Sequence, residues 1–298
     1  MINKITDEQL IEELKSRFQE RKQALAEMEQ LNQQLLEVNK KLSESEKLKS
    51  NFLSNARNEI INPMSAIMNL SQAIATDKHL QLDKARRMAL VIFNEAFDLN
   101  FQLNNIFASA EIEAGVIVCE QFRINLDTFI RSELEKFSDK AAEKNIRLFF
   151  NNKIHPDDQN FITDPAKLKL ILDNLVFNAI YWSGKNDTVT ITISKTANNA
   201  LLVVEDTGPG IESEFHTTIF DRFKTVDAAV HSQNKGHGLG LSIVKACIDF
   251  LGGEVKLESK KPGGSKFSIL LPESEYVGNH EGISENGQDF LFDSTELF

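Results

Sequence analysis

The sequence predicts an α+β chain, with a helical N-terminal part followed by an α/β sandwich. Three observations carry this. Residues Gln9 to Ser50 contain neither proline nor glycine. Two segments with helical apolar spacing follow, around Phe52–Ile74 and Met88–Phe107. Beyond Gly115, short β-like runs alternate with helical patterns.

The 298 residues give room for about two domains. Hydrophobic residues make up 41%, which suits a globular protein. The net charge of −11 disfavours sequence-independent nucleic-acid binding, which relies on cations neutralising phosphates. It leaves room for a small anionic ligand, which needs only a few local donors. Cys119 and Cys247 lack the spacing of a metal site or a disulfide framework, so both are expected to be reduced thiols in a cytoplasmic protein. No run reaches the roughly 18 apolar residues of a membrane span, and the polar N-terminus does not resemble a signal peptide.

Four regions are expected. Residues 1–50 open with a capping box at Thr6–Gln9. Met28, Leu31, Leu35, Val38 and Leu42 are spaced three and four apart, the seam of a two-stranded coiled coil. Residues 51–117 form a helical hairpin, with a bend at Pro63, a loop over Asp77–Asp83 and an end at Gly115. Two helices this apolar cannot bury both faces alone, and two copies forming a four-helix bundle would solve that. Residues 118–272 carry strands near Arg147–Phe150, Thr188–Ile193, Leu201–Glu205, Glu254–Glu258 and Lys266–Leu271. Helices are expected near Leu126–Lys144, Pro165–Trp182 and Leu239–Leu251. Residues 273–298 are acidic, with no lysine or arginine, and are expected to be disordered.

Four motifs in the sandwich suit a nucleotide. In Val204–Ile211, Asp206 offers a carboxylate to an exocyclic amine, and Gly208 and Gly210 let backbone approach closely. In Gly236-His237-Gly238-Leu239-Gly240, glycines precede a helix whose N-terminus suits polyphosphate. Asn174 and Asn178 share a helix face, and their oxygens suit magnesium. Gly264-Ser265-Lys266-Phe267 opens the last strand. Taken singly, these also read as a strand-to-turn junction, a glycine-rich loop and two solvated asparagines.

Together, in this order, the four motifs resemble the ATP-binding domain shared by histidine kinases, gyrase, Hsp90 and MutL. Ile219–Phe223 resembles the phenylalanine box of the kinases. Phe52–Met64 resembles the kinases' phosphoacceptor helix, F-L-x-N-x-S-H-E-[IL]-R-T-P-[LM], at Phe52, Leu53, Asn55, Glu59, Ile60, Pro63 and Met64. The resemblance spans residues 45–272 and implies a Bergerat-type ATP-binding sandwich. It also implies that Asp206 reads adenine, that Asn178 with Asn174 holds magnesium and phosphates, and that Gly236, Gly238 and Gly240 wrap the phosphates. Residues 212–235 would form a lid, with Phe220 in it and Arg222 near the γ-phosphate. Tyr181 replaces a frequent lysine or histidine, and Ser265 a frequent threonine.

The sequence departs from this family where the reactive histidine should stand. Asn58 occupies that place. Its amide nitrogen lone pair is delocalised, so it should accept no phosphoryl group. Arg57, Ile61 and Asn62 also depart from the common text. Relatives that hydrolyse ATP carry a glutamate where Asn174 stands, so little hydrolysis is expected. The expected protein is a homodimeric, histidine-kinase-like module that binds Mg-ATP and cannot autophosphorylate. It would act on a response-regulator receiver domain or another histidine kinase. Three alternatives stay open: a regulator phosphatase using Asn62 beside Glu59, a kinase acting in trans on a partner's histidine, and a heteromeric decoy.

Overall fold

The computed structural model describes residues 7–116, 118–224, 238–260 and 262–275. The chain divides into two units between Asn55 and Ala56. The first holds the opening part of helix α1 (Asp7–Thr76). Its seam residues Met28, Leu31, Leu35, Val38 and Leu42 are 54–70% exposed. An isolated helix draws little stability from propensity alone, and nothing in this chain covers the seam among the described residues. The Thr6 cap and the acidic tail beyond Glu275 lie outside the described residues.

In the second unit α1 stays helical through Pro63. The turn that follows is fixed by Asp77, whose Oδ1 accepts from the His79 amide at 3.0 Å. Helix α2 runs Leu82–Ala114 and ends at Gly115, with φ of 67°. The Gly115 amide donates to the Ile112 carbonyl, and that of Val116 to Glu111, closing the last turn. Ile61, Met64, Met68, Leu90, Phe93 and Phe107 leave an apolar surface on the hairpin.

The sandwich begins with β1 (Phe122–Asn125) and α3 (Leu126–Glu135). Asn125 caps α3, accepting from the Thr128 amide at 3.0 Å. Short α4 (Ser138–Glu143) follows. The sequence reads as one helix over Leu126–Lys144, and the structure breaks it. Ser138 Oγ donates to the Glu135 carbonyl at 2.7 Å, competing with the helix ladder, while Phe137 turns into the core. Next come β2 (Arg147–Asn152), β3 (Asn160–Thr163), α5 (Pro165–Trp182), β4 (Thr188–Lys195) and β5 (Asn199–Asp206). Finally α6 (Gly240–Phe250), β6 (Glu254–Ser259) and β7 (Ser265–Pro272) complete the layer.

Five strands pair in the order β2-β4-β5-β7-β6. Only the β2–β4 pair is parallel. Strands β1 and β3 form a separate antiparallel ribbon. Alternation along the central strands places Val189, Ile191, Ile193, Leu202, Val204, Ile269 and Leu271 on the face covered by helices. Leu168, Ile171, Leu172, Leu175, Val176 and Ile180 of α5 fill the space against it. That packing fixes α5 along the sheet and sets its asparagines toward α6.

Candidate nucleotide site

Helix α5 is started by two side-chain devices. Asp164 accepts from the Lys167 amide at 3.0 Å, and Pro165 occupies the first turn, where a missing amide hydrogen costs nothing. The helix then carries Asn174 and Asn178, one turn apart, toward Gly240 in the first turn of α6. A Cβ on Gly240 would stand 2.6 Å from Asn174 Oδ1 and 3.7 Å from Asn178 Nδ2. Glycine is therefore what lets the two helices meet, and the meeting puts two amides beside a helix N-terminus. Half-buried Asn178 brings its carboxamide there, Nδ2 nearest the glycine. Asn174 is committed elsewhere: it exchanges two hydrogen bonds of 2.9 Å with Asn105 of α2.

The loop feeding α6 closes on itself. The Phe223 amide donates to the Gly238 carbonyl at 2.9 Å, and Gly238 has φ of 64° with Lys224 O 2.7 Å from its missing Cβ. Arg222, half-buried, sits at this neck, and Phe220 meets Phe267 edge-on at 6.5 Å. Leu239 turns its side chain into the core. Gly236 and His237, and residues 225–235 of the expected lid, lie outside the described residues.

Asp206 ends β5 in register with Ser265. Its Oδ1 accepts from the Gly208 amide at 2.9 Å and the Ser265 amide at 3.3 Å. Burial pushes this carboxyl above its usual range, those two amides pull it back, and the charges of Asp187 and Glu205 push it up further. The Gly210 turn has φ of 76°, and a Cβ there would stand 2.4 Å from the Lys260 carbonyl oxygen. Ser259 ties the neighbouring turn together, bonding the Gly264 carbonyl and Ser265 Oγ. A depression of about 510 Å³ beside Asp206 and Ser265 is walled by His216, Glu258, Lys260 and Lys266. Its lining does not reach Asn178 or Gly240.

Tyr181 stacks on Phe177 at 6.2 Å, with Lys144 above its ring. On α1, Asn62 is exposed, while the side chains of Asn58 and Glu59 are outside the described residues. Two features were not anticipated. One is Asn105. The other is an ionic cluster of Glu133, Lys136, Lys169 and Asp173, in which Lys169 lies 2.7 Å from Glu133 and 2.6 Å from Asp173. Burial pushes Asp173 up to about 6 against the pull of Lys169. Burial also pushes Glu133 up, but the ammonium groups of Lys136 and Lys169 outweigh it and hold Glu133 below its usual value.

Residues 163–275 match the family described as histidine kinase-, DNA gyrase B- and HSP90-like ATPase. The circadian input-output histidine kinase CikA of Synechococcus elongatus is 26% identical over 76% of this chain and 30% of its own length. The chain belongs to the sensor histidine kinase family. It carries a histidine-kinase-type ATP-binding domain, and it spans 15–48% of the lengths of the curated relatives it matches. The histidine kinase ThkA, solved in complex with the response regulator protein TrrA, is 26% identical with a TM-score of 0.50, over 75% of this chain and 61% of that one. Full-length ShkA in complex with AMPPNP shares the fold at 21% identity and a TM-score of 0.53, over 78% of this chain and 47% of that one. Among the described residues, no helix is long and apolar enough to cross a membrane.

Proposed function

We propose that this chain binds Mg-ATP, does not autophosphorylate, and regulates a response regulator or a partner histidine kinase through its helical hairpin. The observation that carries the reading is a contrast within one chain. The nucleotide motifs around Asp206, Asn178 and Gly240 are all present, with Asn178 beside the Gly240 turn, while the acceptor position of α1 holds Asn58.

The parts divide the work as follows. Asp206 accepts from the adenine amine, and Gly208 lets the turn pass close to Asp206 and Trp182. Asn178 supplies an oxygen to magnesium, which when bound neutralises phosphate charge. The amides at Gly238 and Gly240 and the start of α6 face the phosphates. No glutamate stands at Asn174 to activate water, so bound ATP is retained. The apolar surface of Ile61, Met64, Met68, Leu90, Phe93 and Phe107 pairs with a second copy as a four-helix bundle. The response-regulator complex of the solved relative supports a receiver domain as partner. Reduced thiols and that partner suit the cytoplasm.

Calorimetric titration with AMPPNP, with and without magnesium, tests the nucleotide half. Magnesium-dependent binding is expected, and none at millimolar analogue would remove the reading. A second reading, a response-regulator phosphatase, rests on Asn62, whose exposed amide lies one turn beyond Asn58. Dephosphorylation of a phosphorylated regulator should then fall in Asn62→Ala, and an unchanged rate would discard it.

A further inference from the structure

The nucleotide-binding helix is not held by its own domain alone. Along α2, Phe97, Phe101, Asn105 and Ala108 form one stripe at helical spacing, and this stripe lies against the sandwich. Phe97 meets Phe137 edge-on at 5.5 Å, and Phe101 stacks on Phe177 at 4.1 Å between ring centres. Asp98 pairs with Lys140, whose ammonium also lies 5.0 Å from the Phe177 ring. Asn105 is the polar member of the stripe Phe97, Phe101, Asn105 and Ala108. It is 7% exposed, and its partner Asn174 is 1% exposed.

An apolar residue at 105 would pack in this seam without the desolvation cost of a carboxamide. What the carboxamide adds is orientation. Asn105 Nδ2 donates to Asn174 Oδ1, and Asn174 Nδ2 donates both to Asn105 Oδ1 and to the Leu170 carbonyl, each at 2.9 Å. The Asn174 amide is thereby fixed in rotation. Its oxygen also lies close against Gly240, where a Cβ would stand 2.6 Å away. Asn174 therefore sits between α2 and the phosphate-binding turn, and neither neighbour can move without disturbing the other.

We infer that Asn105 is a positioning residue of the nucleotide site. Through Asn174 it sets the relation of α5 to the Gly240 turn, so the helical hairpin completes the ATP-binding domain. Nucleotide affinity and docking of α2 are then coupled, and the coupling is reciprocal: what strengthens one strengthens the other. The inference rests on the nucleotide reading above and adds to it a residue from outside the ATP-binding domain.

The test is a double-mutant cycle on the full chain, read as AMPPNP affinity in magnesium by calorimetry. Asn105→Ala should weaken binding about tenfold, because the Asn174 amide loses both bonds to Asn105 and keeps only the one to the Leu170 carbonyl. In an Asn174→Ala background the same change should have no further effect, since Asn105 acts only through that residue. Hydrogen exchange of residues 97–109 should slow on adding nucleotide in the wild type and not in Asn105→Ala. A purely structural Asn105 would lower the melting temperature and leave affinity unchanged, which would overturn the proposal. Additive losses in the double variant would overturn it too. Should Asn105→Ala fail to fold, the isosteric Asn105→Asp, which sets a carboxylate oxygen against Asn174 Oδ1, is read in the same way. Asp206→Asn is the control: if it weakens binding while the Asn105 variants do not, the inference alone fails. If wild type binds no nucleotide, the underlying reading fails.

Discussion

Gly240→Ala puts the site's assembly to a quantitative test. The added methyl would stand 2.6 Å from Asn174 Oδ1, roughly an ångström inside ordinary contact. The oxygen has little freedom to yield, because the same amide is bonded to Asn105 and to Leu170. The helices must part or the amide pair must break. Overpacking of this kind costs about 1–3 kcal/mol. For a domain of this size each kcal/mol lowers the melting point by about 2–4 °C, so a fall of roughly 2–12 °C is expected. Separating α5 from α6 also pulls Asn178 from the phosphate turn, and AMPPNP affinity should drop at least about tenfold. Gly184→Ala is the matched control. A Cβ there meets nothing nearer than Asp187 Oδ2 at 3.4 Å, and both quantities should stay close to wild type. Scanning calorimetry and titration read the two effects. A Gly240→Ala protein that melts and binds like wild type would refute the claim that this glycine sets the contact.

Three further outcomes are expected. Asp206→Asn keeps the Oδ1 acceptor used by Gly208 and Ser265, so it should fold, but it turns a donor toward the adenine amine; affinity should fall about 10- to 100-fold by titration. Asp173 is raised in the folded protein from 3.8 to about 6, so its contribution to stability is full below pH 3.8 and is lost as pH rises through 6. Relative to Asp173→Asn, wild type should therefore gain stability on acidification across that window, by about 3 kcal/mol at most, in denaturant titrations at stepped pH. Phe93, exposed on the hairpin, should tolerate glutamate in the fold while light scattering shows the mass of two chains falling to that of one.

Much of the fold was legible because local rules and packing agree in this chain. Pro165–Trp182 is bounded by its own cap and proline at one end, and the observed helix has the bounds read from the sequence. Each of the five runs expected as strands pairs in the mixed sheet. The β1–β3 ribbon was missed because its strands are four residues each and depend on pairing across the intervening α3, α4 and β2. Along the site, the glycines announce themselves because they suit the positive φ and close backbone approach found at Gly210 and Gly238, and Asp206 because it ends a strand just before such a turn. Asn105 does not announce itself. It follows Asn104 in a helix with several asparagines, and only its place four residues after Phe101 marks it as inward-facing. The ionic cluster around Asp173 was hidden for the same reason: Glu133 and Lys169 are distant in sequence and meet only when α3 packs on α5.

The central claim is that this chain holds ATP but has no residue to receive its phosphoryl group. The direct measurement is incubation of purified protein with γ-labelled Mg-ATP, followed by denaturing separation and acid treatment, beside a binding titration on the same preparation. The account predicts bound nucleotide and no protein-attached label. Acid-labile label on the chain, lost on changing one of its own residues, would contradict it.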